Sequence, residues 1–93
     1  MKYEVLIRDE AEQDINSAML WYGDENEELA KVFATKLSNA IDIIRNNPFL
    51  FSVKYRNVRM TFLSKFPYGI HYTIEGRRVI VLAVLHTRRK PRS

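Results

Sequence analysis

The sequence contains no cysteine, which excludes disulfides and thiolate metal sites together. Histidine is nearly as scarce: His71 and His86 are the only two, too few to build a structural zinc site by themselves. No apolar run reaches the ~18 residues of a membrane-spanning helix. The opening MKYEVLIRDEAEQ turns polar too soon for a signal peptide, so a cytoplasmic location is expected. Repeats, linkers and low-complexity tracts are absent, as are a phosphate-cradling glycine loop, a metal-ligand cluster and a recognisable Ser-His-Asp arrangement. Carboxylates are nearly missing from one half of the chain. Residues 48–93 carry ten bases and Glu75 alone among acids, a balance of +9, whereas residues 1–47 carry ten acids against five bases, a balance of −5. Such asymmetry implies a basic surface able to attract a polyanion or an acidic partner protein, unless the two halves interleave into a charge-mixed surface.

What is present suits one small domain. A chain of 93 residues, 46% apolar and 28% charged, is globular in composition and just large enough for its own core. Residues 2–8, KYEVLIR, read as a strand with Tyr3, Val5 and Ile7 on one side. Asp9 offers an N-cap for an amphipathic helix over 10–22, with Ala11, Ile15, Ala18, Met19 and Tyr22 at helical spacing and Gly23 as its stop. A second helix is marked by the stripe Leu29, Phe33, Leu37, Ala40, Ile41 and Ile44 and ends at Asn46-Asn47-Pro48, where asparagine tolerates the left-handed conformation. The short link predicts a helical hairpin.

From Lys54 onward the period becomes two. Tyr55 to Phe62 reads as a strand with Val58, Met60 and Phe62 inward and Arg59 and Thr61 on the other side. After the turn SKFPYG, IHYTIE alternates, and Glu75-Gly76-Arg77 is a tight hairpin turn. Arg78 to Leu85 is apolar on both sides and reads as a central strand covered on each. The expected fold is α+β: an N-terminal strand, an antiparallel helical hairpin and a C-terminal antiparallel β-meander, all strands in one sheet and all of residues 1–93 in one domain.

Basic and aromatic residues concentrate in the sheet half: Tyr55, Arg56, Arg59, Lys65, Tyr68, His71, Tyr72, His86, Arg88 and Arg89. Metal-free RNA cleavage needs a base for the 2′-hydroxyl, a cation for the phosphorane and an acid for the leaving oxygen, and these residue types meet those needs if one sheet face gathers them. Each also has a plainer reading. His86 continues the face of Ile80, Leu82 and Val84 and suits a half-buried histidine bonded to backbone. Trp21 suits packing or a partner interface. Arg59, within a strand, needs an anion, a carboxylate or open water.

The segments AEQDINSAMLWY (11–22), FATKLSNAIDIIRNNP (33–48), YRNVR (55–59), FPYGIHYTIE (66–75) and VIVLAVLHTRRKP (79–91) together resemble toxins of the RelE/ParE superfamily from type II toxin–antitoxin (plasmid stabilisation) modules. That resemblance implies the same fold. RelE-like members cut messenger RNA on the ribosome, whereas ParE-like members poison DNA gyrase. Where the RelE pattern places a catalytic arginine this chain has Gly69, after Tyr68, and the paired lysines of the preceding strand are represented by Arg59 alone. The FPY hairpin and VR strand are similar to the ParE-like branch. The resemblance therefore implies a growth inhibitor that binds gyrase, has no catalytic residues and no cofactor, and is neutralised by a cognate antitoxin. DNA would be met only through the antitoxin complex. Residues implied in target or antitoxin binding are Arg56, Arg59, Tyr68, His86, Arg88, Arg89 and Trp21. The alternative is a ribosome-dependent, metal-independent endoribonuclease using Arg59, His86 and Arg88.

Overall fold

The computed structural model describes residues 2–88, so Arg89 of the candidate set lies outside the described residues. Along the chain run β1 (Glu4–Ile7), α1 (Asp9–Glu25), α2 (Glu27–Asn46), β2 (Val53–Tyr55), β3 (Val58–Phe62), β4 (Tyr68–Glu75) and β5 (Arg78–His86). The five strands form one sheet in the order β1-β5-β4-β3-β2. β5 is parallel to β1 and antiparallel to β4, and β3 and β2 extend the antiparallel series, so the expected α+β layout holds with a mixed sheet.

The helix boundaries differ from expectation in detail. Arg8 occupies the N-cap of α1 without a side-chain bond, and Asp9 is already helical. Asp9, Glu10 and Glu12 thus sit in the first turn, where carboxylates oppose the helix dipole favourably. Gly23 does not stop α1. A Cβ there would meet Ala30 Cβ at 3.7 Å, an ordinary contact, so it is a plain helical residue beside α2. The break falls at Asn26, which is extended at φ −167°. Its N–H donates to Tyr22 O, and its Oδ1 accepts from Glu28 N–H at 2.8 Å, so one side chain closes α1 and opens α2. Asn47 ends α2 at φ −151° rather than in the expected left-handed region.

Register decides which side chains meet the helices. Tyr68, Ile70, Tyr72 and Ile74 pair with His86, Val84, Val81 and Val79. Apart from half-buried His86, and with Ile74 partly buried against it, this row forms the core with Phe33, Leu37 and Ile44 of α2 and Ala11 and Ala18 of α1. The pairing skips Leu82, and this bulge inverts the alternation of β5. Ile80 therefore lies on the opposite side from Val84 and His86, contrary to the single face read from the sequence. β5 is interior as expected, yet the helices cover one side only, and Ile80, Leu82 and Leu85 stay half-buried. β1 ends at Ile7, opposite Val81. Three residues on, Val84 N–H donates instead to Asp14 Oδ2 of α1 at 3.0 Å, so the helix supplies the acceptor the shortened strand lacks.

β3 reverses the expected assignment at Met60 and Phe62, although Val58 is buried as expected. Arg59 and Thr61 pair with Tyr72 and Ile70 and share their helix-facing side, while Met60 and Phe62 pair with His71 and Gly69 on the open side. The stretch 55–62 is also not one strand. Arg56-Asn57 turn between Tyr55 and Val58, with Arg56 at φ 49°. Gly76, at φ +60°, makes the expected hairpin turn.

Candidate partner-binding surfaces

Arg59 can face the helices because its charge is met there by a carbonyl and a ring. Its Nη1 donates to Phe51 O at 2.7 Å, and its guanidinium carbon lies 5.1 Å from the centroid of Phe49. Next to it on β4, the Tyr72 hydroxyl donates to Pro48 O at 2.7 Å. Burial raises the Tyr72 phenol pKa above its ordinary value, and the Arg59 cation pulls it partly back. Two sheet side chains thus hold the α2–β2 connection as a strap, which displays Phe49 and Leu50 more than half exposed.

On the open side, Met60, Phe62, Gly69, His71, Leu85, His86 and Thr87 line a shallow hollow of ≈ 440 Å³. Gly69 is its floor; a Cβ there would approach Met60 Sδ to 3.3 Å. The Tyr55 hydroxyl and His71 Nδ1 share a hydrogen bond of 3.1 Å at the rim. His86 accepts from Arg88 N–H at Nδ1 (3.0 Å), which leaves its proton on Nε2. Its ring stands edge-on to Tyr68, with centroids 5.2 Å apart. The half-buried, backbone-bonded histidine read from the sequence is what the structure contains.

The candidate residues do not gather into one site. Tyr68 is buried among Tyr22, Phe33 and Phe66, with centroids 4.9–6.2 Å apart. Trp21 is about half exposed on the helical layer, and Arg56 caps the β2–β3 turn. Arg88 is exposed just past β5. Arg59 sits opposite Tyr72 and His86 opposite Tyr68, four residues apart on β4, or about 13 Å along the strand. Met60, Phe62, Gly69 and Leu85, which line the open hollow, were not among the sequence candidates. Part of their signal was there, in the apolar residues on both alternations of β5 and on one alternation of β3.

No curated protein matches the chain in sequence. Among solved structures, a chain of a chromosomal ParDE TA system from P. aeruginosa superposes with a TM-score of 0.82 over 94% of this chain and 98% of that chain, at 12% identity. At that identity the likeness establishes the fold. The family described as ParE toxin of type II toxin-antitoxin system, parDE, matches residues 5–91. With nearly the whole chain inside that match, the protein belongs to the ParE toxin family of type II toxin–antitoxin systems.

Proposed function

We propose that this toxin arrests growth by binding DNA gyrase and that a cognate antitoxin neutralises it in the cytoplasm, in a module that serves plasmid stabilisation. The ParE match over residues 5–91 carries the reading. Gly69 supports it: the position that would hold a nuclease arginine is a bare floor, where a Cβ would come within 3.3 Å of the Met60 thioether. The division of Arg59 and His86 between distant rows of the sheet supports binding over cleavage as well. The test incubates purified toxin with gyrase and supercoiled plasmid. Accumulation of cleaved or relaxed DNA is expected, and supercoiling that proceeds unchanged at toxin excess overturns the gyrase target. Co-expression of the adjacent antitoxin frame should restore growth.

A further inference from the structure

α1 buries Ala11 and Ala18 and packs Ile15, Met19 and Tyr22 against the core. At about 100° per residue, Leu20 falls on the far side of the helix, roughly 200° around from Ala18. It is 69% exposed, and Trp21, the one tryptophan of the chain, is 53% exposed beside it. A single exposed leucine is ordinary. A tryptophan next to it, also more than half in water, is a side chain enriched among the anchors of protein interfaces. The patch lies near the tip of the helical hairpin, where α1 gives way to α2 at Asn26. Because α2 is 20 residues long, that tip stands roughly 30 Å from the strap at the other end of α2. It belongs to the helical layer, not to the open side of the sheet.

Charge says what can cover this patch. From Asp9 to Ala30 the chain carries eight carboxylates and no lysine or arginine. Asp24 and Glu25 follow Leu20 and Trp21 by four residues, one helical turn on, and Glu27 and Glu28 open α2 directly beyond. All four are exposed. Among the described residues, ion pairs form at Glu4, Glu10 and Asp42 but at none of these four. A second copy of the chain would bring like charges together, and a nucleic acid or an anionic lipid surface would be repelled in the same way. An apolar centre with an acidic rim suits a protein surface rich in lysine and arginine. An enzyme that holds duplex DNA presents such a surface, because it must meet the phosphates.

We propose that Leu20 and Trp21 anchor this toxin on a basic surface of gyrase, with the hairpin-tip carboxylates Asp24, Glu25, Glu27 and Glu28 steering and orienting the contact. The proposal rests on the gyrase reading and adds the face of the toxin and the chemistry of the surface it meets. It is tested with the full chain and purified gyrase, by titration and by the supercoiling assay. Leu20→Ser with Trp21→Ser, at an unchanged denaturant midpoint, should weaken binding roughly thirtyfold or more, the loss typical of a tryptophan anchor. Asp24→Lys with Glu25→Lys guards against misfolding, because cations near the C-terminal end of α1 suit the helix dipole. That variant should be at least as stable as wild type yet associate with gyrase more slowly, and the difference should shrink as salt rises. Wild-type inhibition that both variants retain overturns this contact and leaves the gyrase reading standing. Tighter binding by the lysine variant overturns it too, since the surface met would then be acidic. Self-association of the free toxin that the serine variant abolishes overturns it in favour of a second copy. Failure of the wild-type chain to bind gyrase at all sinks both readings.

Discussion

Phe33 and Phe62 lie on opposite sides of the same sheet. Phe33 has no exposed surface and is enclosed by Tyr22, Phe66 and Tyr68, with ring centroids 5.2–5.6 Å away. Phe62 is 56% exposed beside a hollow and a bare strand edge. Hydrophobicity therefore does not separate core from surface in this molecule; the single helical layer does. Apolar residues on the covered side hold the fold; on the open side Val58 and Ala83 are still buried, whereas Phe62 is left to water. The largest test of that division is Phe33→Ala. Emptying a site ringed by aromatics should cost about 3–5 kcal/mol, a large share of the stability of a domain this small. Denaturant unfolding should show a collapsed midpoint, and a loss below about 1 kcal/mol would mean the ring cluster relaxes and the covered side is not the core.

Next in size are the polar groups that enter the covered side. Arg59→Ala leaves Phe51 O without its donor and removes the cation beside Phe49, a loss of about 1.5–3 kcal/mol for a charged hydrogen bond. The strap should also loosen, which proteolysis near residues 47–52 would report. Tyr72→Phe leaves Pro48 O unpaired and should cost about 1–2 kcal/mol. It also predicts a pH signature. The folded phenol ionises above its ordinary value of 10.0, so the neutral form is favoured by folding. Its contribution is complete below pH 10 and is lost as pH rises toward the folded value. Wild type should lose stability more steeply than Tyr72→Phe above pH 10, and parallel curves would show that the phenol is not desolvated.

The element types were legible because helix and strand periods are local properties: the stripe of α2 and the alternation of β4 needed no tertiary knowledge. The sides of β3 and β5 were not legible, and the reason is physical. Met60 and Phe62 are more apolar than Arg59 and Thr61, so composition alone turns β3 the wrong way; what turns it back is a carbonyl of the strap, brought to Arg59 by the chain running from α2 into β2. The bulge at Leu82 inverts β5 within an uninterrupted apolar run, where no polar residue marks the change. The Arg56-Asn57 turn lacks glycine, so no residue type marks it within the alternation from Tyr55 to Phe62. The candidate site suffered most. Residues chosen for charge and aromaticity scattered over both sides, whereas the open surface is made of residues that looked like core.

The smallest expected effect carries the sharpest contrast. Phe62→Ser removes the same ring chemistry as a change at Phe33, but from a side chain already more than half in water, so stability should move by no more than about 0.5 kcal/mol. If the open side exists to be covered by a partner, the cost reappears on binding. The variant should fold like wild type yet hold its antitoxin more weakly, because the apolar area it would have buried in the complex is gone. Paired measurements settle the matter: a denaturant midpoint for the free chain and a titration of the antitoxin. A stability loss comparable to that of Phe33→Ala would make Phe62 part of the core after all. Unchanged stability with unchanged binding would leave the exposed ring without the partner that the comparison of the two sides calls for.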